Sequence, residues 1–308
     1  MLVVNPHATS TTATGRDVLA SALSTQLKLD IVHTDRRGHA AELATQAARD
    51  GFDLVVVHGG DGTVNEVVNG LLADGVRAPA PALAVVPGGS ANVFGGSIGV
   101  PRDPIEATGH LLHALQAGRR RRVGLGRVAS DNNGTRWFTF NAGLGLDAGA
   151  VERVERDRAR GRRATTARYV RAAVLSYFAQ DHRQPHLTLQ LPGQEPISGV
   201  YLAIVANTHP YSYAGDRPVR MNPGTSLDRG LGVFALRSLR LPTVLRHAAQ
   251  ILRARGEPRG RKLIRRDDVA QVTVISDTPI GLQVDGDYLG RRQHARFDSV
   301  PAALTVIV

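Results

Sequence analysis

The sequence predicts an α/β N-terminal domain built on a doubly wound sheet, followed by a C-terminal β-sandwich domain with helical insertions. Three observations carry that expectation. Strand and helix signals alternate through the first 125 residues. The run Leu-Val-Val-Val at 54–57 is apolar without a break, as in a parallel sheet covered on both faces. After Gly124 the alternation gives way to short β-type runs parted by turn residues, the pattern of an antiparallel sandwich.

The elements follow in order. Residues 2–4 form a first strand, and 17–29 a helix with Val18, Leu19, Ala22, Leu23 and Leu27 at helical spacing. Residues 31–33 form a second strand, and 40–50 an alanine-rich helix stopped by Gly51. The strand at 54–57 leads into a helix at 63–73, and another strand lies at 82–86. Farther on, helical segments lie at 163–180 and 242–255. Beta runs lie at 137–141, 187–191, 200–206, 231–236, 269–275, 281–284 and 304–308. The domains are therefore expected at 1–124 and 125–298, with the segment 299–308 a candidate to rejoin the first. The helix at 166–178 carries Val170, Ala173, Val174, Tyr177 and Phe178, a stripe expected in the core in preference to a lipid-docking face.

Composition narrows the class. At 308 residues, with 42% hydrophobic and 21% charged, the chain is ordinary for a globular protein. No apolar run reaches the roughly 18 residues of a membrane span. The first six residues read as a strand and not a signal peptide, and the absence of cysteine excludes disulfides and thiolate metal sites. A cytoplasmic protein is expected. The net charge is +11, and of 38 basic residues only Lys28 and Lys262 are lysines. The arginines cluster at 119–122, 153–171 and 253–266. Such a surface is either simply solvated or attracts an anionic membrane, which makes peripheral membrane association the expected partner. Aromatic residues are only 5%, and none interleaves with the arginines as a stacking platform, so nucleic acid is not expected. A homodimer stays open.

The strongest motif is Gly-Gly-Asp-Gly-Thr-Val-Asn-Glu-Val-Val-Asn-Gly at 59–70, which follows the buried strand and opens a helix. Glycines there let backbone approach a phosphate, and the helix N-terminus turns N–H groups toward it. Asp61 repels phosphate, so its expected part is to bind Mg²⁺ or hold a partner. A second glycine-rich turn, Pro-Gly-Gly-Ser-Ala-Asn-Val-Phe at 87–94, also follows a strand at its carboxyl end. Two such turns on one sheet edge predict a nucleotide cleft.

These motifs resemble the catalytic domain shared by diacylglycerol, sphingosine and ceramide kinases and bacterial lipid kinases. The matching pieces are Asn5-Pro6, 34–44, 59–70, 87–94 and 100–104, then Asn141 to Ala148 and the late acidic Val284-Asp285-Gly286-Asp287. The resemblance implies a phosphofructokinase- and NAD kinase-like N-terminal fold, a C-terminal β-sandwich, ATP between them with Mg²⁺, and phosphorylation of a hydroxyl on diacylglycerol or a similar lipid. It places nucleotide contacts on Asn5, Thr34, Gly59, Gly60, Asp61, Gly62, Thr63, Asn65, Glu66, Gly88, Gly89, Ser90 and Asp287. Ser90 stands where the family has threonine, and Asp287 where it often has glutamate. By the same match Asp285 is the general base and Asp61 its catalytic companion. Residue chemistry alone also reads Asp285-Gly286 as a hairpin turn, in which Asp285→Asn leaves stability unchanged.

The chain departs from the family twice. Residues 7–15 read His-Ala-Thr-Ser-Thr-Thr-Ala-Thr-Gly in place of a glycine-rich phosphate loop, so hydroxyls and amides must replace glycines there. In Leu227-Asp228-Arg229-Gly230-Leu231, Arg229 replaces the aspartate of a structural Mg²⁺ loop, leaving Asp228 as the metal candidate. Two other functions stay open: a soluble-substrate kinase of the NAD kinase type, and a non-catalytic nucleotide-binding or membrane-sensing homologue.

Overall fold

A computed structural model describes residues 1–9, 11–77, 80–131, 134–160, 166–179, 184, 186–215, 217–253 and 256–308. The chain divides into one unit of Met1–Leu125 with Pro301–Val308 and another of Gly126–Val300. Parts of the expected helices at 163–180 and 242–255 and of the basic stretches 153–171 and 253–266 lie outside the described residues.

The N-terminal unit runs β1 (Leu2–Val4), α1 (Ala13–Ser24), β2 (Ile31–His33), α2 (His39–Arg49), β3 (Leu54–Gly59), α3 (Asp61–Leu71), β4 (Ala82–Pro87), α4 (Val93–Ser97) and α5 (Pro104–Gln116). Its strands are parallel in the order β2-β1-β3-β4, and Val306 of the returning C-terminal segment pairs with Leu83 on the far side of β4. Strands β1 and β4 are buried throughout, as apolar strands covered on both faces must be. Ala40, Ala44 and Ala47 turn the small face of α2 inward. The approach of α2 to α3 is so close that a methyl on Gly70 would stand 2.2 Å from the Ala41 carbonyl oxygen. Helix α5, absent from the periodicity reading, starts on Asp103, whose carboxylate accepts from the Ile105 and Glu106 amides with Pro104 in the first turn.

Next come β5 (Arg120–Ser130), β6 (Thr135–Phe138), β7 (Asn141–Gly145), α6 (Leu146–Ala159), α7 (Thr166–Ala179), β8 (Leu187–Gln190), β9 (Ile197–Val200) and β10 (Leu202–Ala206). They are followed by β11 (Ser212–Ala214), β12 (Arg217–Val219), β13 (Leu231–Leu236), α8 (Leu241–Ile251), β14 (Leu263–Val269), β15 (Gln271–Val284) and β16 (Asp287–Ile307). The C-terminal unit is a sheet-rich antiparallel domain. A break in register between Ile275 and Ile280 divides β15. Its first half pairs with β8 and its second with β7, so two layers form. Their inner faces share one core that includes Phe138, Leu144, Leu189, Val233, Val274 and Phe297. The rings of Phe138 and Phe297 meet edge to face at 6.1 Å. A second cluster, with Ile204 and Phe234 at its centre, takes Leu146 of α6, Tyr177 of α7 and Val244 of α8.

One expectation is overturned here. In α7 the buried residues are Ala172 and Ser176, whereas Val170, Ala173, Val174 and Phe178 are exposed and Tyr177 is half-buried. Apolar residues surround most of this helix, so periodicity alone chose the wrong face. Small side chains decide the packing: Ser176 Oγ lies 3.4 Å from where a Gly149 Cβ would be, which lets α7 settle against α6.

Candidate active site

In the N-terminal unit the two glycine turns lie against each other at the carboxyl ends of β3 and β4. The Gly88 amide donates to the Gly59 carbonyl at 2.9 Å. A Cβ on Gly89 would stand 2.6 Å from Gly60 Cα, and one on Gly59 2.9 Å from Thr63 Cβ. Only glycine admits that spacing. Gly62, by contrast, faces open space. Helix α3 begins on Gly60 with no side-chain cap, so no capping side chain covers the positive end of its dipole. Asn92, at φ 48°, closes the second turn by accepting from the Gly89 amide at 3.0 Å and donating to the Gly89 carbonyl at 2.8 Å. Asp61 Oδ1 accepts from the Phe94 amide at 3.2 Å, tying α3 to α4.

Around these turns the expected residues separate. Asn5 Nδ2 donates to Thr63 Oγ1 at 2.9 Å, joining the end of β1 to α3. Ser90 and Gly62 are exposed, and Gly60, Asp61 and Gly89 half-buried. Thr34 and Asn65 are buried, the Thr34 amide bonding to the Val4 carbonyl. The Glu66 carboxylate is already engaged: it accepts from the Gly38 amide at 2.9 Å and the Ala40 amide at 3.2 Å, serving as the missing cap of α2. In the loop after β1, Thr12 caps α1 by accepting from the Gly15 amide, and Thr11 bonds to His58. These two hydroxyls serve the protein's own scaffold. The His58 ring reaches the Val86 carbonyl through Nδ1 at 3.2 Å and Thr11 Oγ1 through Nε2 at 3.2 Å. A carbonyl only accepts, so Nδ1 carries the proton and Nε2 receives the hydroxyl's. Burial lowers the His58 pKa and keeps that neutral form. A cavity of about 410 Å³ beside Lys28, Asp30 and Asp53 opens at the opposite, amino ends of the strands and touches neither turn.

In the C-terminal unit, Asp285 and Gly286 are the two-residue turn between β15 and β16, flanked by the pair Val284 and Asp287. Both have positive φ, 48° and 81°, as a type I′ hairpin requires. The Asp285 carboxylate is buried, not solvated. Oδ2 accepts from the Thr139 amide at 2.6 Å and its hydroxyl at 2.8 Å, and Oδ1 from the amides of Phe140 and Asn141, each at 3.0 Å. Four donors match the acceptor capacity of a carboxylate. Burial raises its pKa, and these bonds oppose the rise.

Behind the turn lies a buried polar network that residue types and spacing did not reveal. Gln283 Nε2 donates to Asn141 Oδ1 at 2.8 Å and to Asp147 Oδ2 at 2.6 Å, while its Oε1 accepts from the Gly286 amide at 3.0 Å. Tyr211 donates to Asp147 Oδ1 at 2.5 Å. Burial raises the Asp147 pKa, and burial followed by the nearby Asp147 charge raises that of Tyr211. A side chain on Gly143 would occupy the space of the Asp147 carboxylate. The available signal was the glycine spacing before Asp147. Asp287 pairs with Arg136 at 2.5 Å. Asp228 is exposed on a turn closed by the Arg229 amide and the Ser226 carbonyl, and Asp267 and Asp268 take bonds from Asn222 and Gly230. Among the described residues no group of three or more His, Cys, Asp or Glu is placed to hold a metal ion.

Comparison with known proteins follows the same division. Residues 1–128 match the family model of the diacylglycerol kinase catalytic domain. The chain is 45% identical over 96 residues to the protein named "Probable lipid kinase YegS-like" of Chromohalobacter salexigens and 47% over 68 residues to the diacylglycerol kinase of Bacillus subtilis. These alignments span only 29% and 22% of those relatives, and 30% and 22% of this chain. A "Probable lipid kinase YegS-like" protein of Stenotrophomonas maltophilia is 27% identical over 93% of this chain and 88% of its own. In fold, a crystal structure of a diacylglycerol kinase from Bacillus anthracis superposes with TM-score 0.72 at 20% identity, covering 99% of this chain and 95% of that one. An NAD kinase from Archaeoglobus fulgidus in complex with ATP superposes with TM-score 0.55 at 14% identity, covering 100% and 92%. The similarity to the diacylglycerol kinase catalytic domain thus lies in residues 1–128, the stretch that holds both glycine turns.

Proposed function

We propose that this protein is an ATP-dependent lipid kinase that phosphorylates a hydroxyl of diacylglycerol or a similar lipid at a membrane surface. The observation that carries it is the paired glycine turn beside the uncapped start of α3, inside the region that matches the diacylglycerol kinase catalytic domain. A cradle that a single methyl would fill suits polyphosphate. The amides of Gly60, Gly62, Thr63 and Ser90 hold the phosphates, with Asn5 fixing Thr63 and the Gly88 and Gly89 amides holding the turns in shape. Asp61 suits Mg²⁺, which binds through one or two carboxylates together with phosphate oxygens. Bound MgATP supplies the phosphoryl group and neutralises its charge. Glu66, Thr34 and Asn65 act at one remove, through the capped α2 and the buried strand ends.

In the C-terminal unit, Asp285 takes the proton of the lipid hydroxyl. Its raised pKa supports that part, and so does the Thr139 hydroxyl, the one donor of the four free to rotate away. Arg136 steadies Asp287 beside it. Among the described residues no helix is long and apolar enough to cross a membrane, and the +11 charge supports peripheral attachment to anionic lipid.

The test incubates the full chain with labelled ATP, Mg²⁺ and a panel of dispersed lipids, then extracts with organic solvent. Label moving into the solvent phase with a diacylglycerol-like lipid is the expected result. Label retained in water on a soluble acceptor would assign a soluble-substrate kinase, and no lipid-dependent ATP consumption would leave a nucleotide-binding protein without turnover.

A further inference from the structure

Among the described residues, seven of the eleven exposed large apolar side chains sit on two helices of the C-terminal unit or on the residue that caps one of them. On α7, Val170, Val174 and Phe178 follow at intervals of four, with Leu175 beside them, and Phe178 is 73% exposed. On α8 and its C-cap, Leu241, Leu245 and Leu252 line the outer side, and Leu245 is 58% exposed. The helices are neighbours. The Tyr177 hydroxyl donates to the Leu239 carbonyl at 2.8 Å, two residues before α8, and Tyr177 and Val244 pack on one cluster. A surface helix normally presents polar residues outward. With one side α7 rests on α6 and α8 on the sheet, and both carry a second apolar stripe toward solvent.

The charged residues on the two helices and at the ends of α8 have one sign. Neither helix contains an acidic residue. Arg240, Arg246 and Arg253 are exposed along α8, and Arg171 on α7. A low-charge apolar stripe bordered by arginine is the composition of a helix that lies in a lipid interface. A second copy of this chain would set the same arginines against one another, whereas lipid phosphate neutralises them.

We propose that the outer faces of α7 and α8 together form a membrane-docking surface, in which Phe178, Val174 and Leu245 enter the acyl boundary of an anionic bilayer and the flanking arginines meet lipid phosphates. This deepens the proposed work at a membrane and rests on it. Vesicle binding is read without turnover, so failure of the kinase assignment and failure of the docking face are separately visible.

The experiment sediments the full chain with vesicles of phosphatidylcholine and phosphatidylglycerol. The double substitution Phe178→Ser with Leu245→Ser should weaken binding by roughly ten-fold or more. Val18→Ser, on an equally exposed valine of the N-terminal unit, should bind as wild type. Should the double variant misfold, Phe178→Trp gives an independent reading, since its emission should shift to the blue on anionic vesicles beside that of the buried Trp137. Wild-type binding by the double variant, or no blue shift in Phe178→Trp, would overturn the proposal. So would a dimer that the double substitution converts to monomer while vesicle binding persists, which would assign the face to a second copy.

Discussion

A methyl group on Gly89 would stand 2.6 Å from the Cα of Gly60, so the two glycine turns are in backbone contact with no room for a side chain between them. Gly89→Ala must push the turns apart. It is expected to abolish ATP binding, measured by calorimetry, and to lower the melting temperature. Gly62→Ala is the contrast. Its Cβ meets nothing and alanine favours helix, so this variant should gain about 0.5–1 kcal/mol of stability.

Asp61→Asn keeps the oxygen that accepts from the Phe94 amide and removes the charge. The melting temperature should hold within a degree or two while lipid phosphorylation falls about 100-fold or more. Activity within three-fold of wild type would remove Asp61 from the chemistry.

The glycine turns were legible because their geometry is local: strand, glycine and helix start lie within a dozen residues. The hairpin at Asp285-Gly286 was legible for the same reason, since positive φ at both positions selects those residue types. What stayed hidden depends on partners far apart in sequence. Glu66 looks like a nucleotide ligand until the Gly38 and Ala40 amides are seen to occupy it. Asp147, Gln283 and Tyr211 are unremarkable apart, and become one buried network only when β7, β15 and the segment at 211 meet. In α7 the pattern was legible but its orientation was not. The two small residues Ala172 and Ser176, and not the bulky ones, face the protein.

Asp147 gives stability a pH dependence. Burial raises its pKa above the ordinary carboxylate value, so the folded state holds its proton to higher pH than the unfolded state. Stability from this group is therefore present at low pH and falls as pH rises from the unfolded value through the raised one. Asp147→Asn removes the titration, while its amide still accepts from Gln283 and can donate to a reoriented Tyr211 hydroxyl. Denaturant unfolding across acidic to neutral pH should show the variant gaining on wild type as pH rises. Parallel curves would mean that Asp147 keeps an ordinary pKa.

Asp285→Asn separates turn chemistry from carboxylate chemistry, and here the structure revises the sequence expectation of unchanged stability. Asparagine suits the type I′ turn as well as aspartate does. It does not suit the four donors. One end of the side chain becomes an NH₂ group facing either the Thr139 amide and hydroxyl or the Phe140 and Asn141 amides, a buried clash of donors. The Thr139 hydroxyl can turn to accept, but a backbone amide cannot. The expected loss is about 1–3 kcal/mol, read as a lower denaturation midpoint with unchanged slope. If Asp285 is also the base, kcat for the lipid should fall roughly 10²- to 10⁴-fold at a temperature where the variant is still folded, with little change in the KM for ATP. Gly286→Val should damage folding through its φ of 81° and leave no comparable kcat effect in whatever fraction folds. An Asp285→Asn protein that is destabilised yet fully active per folded molecule would make Asp285 a structural clamp and return the search for the base to Asp287 and Asp61.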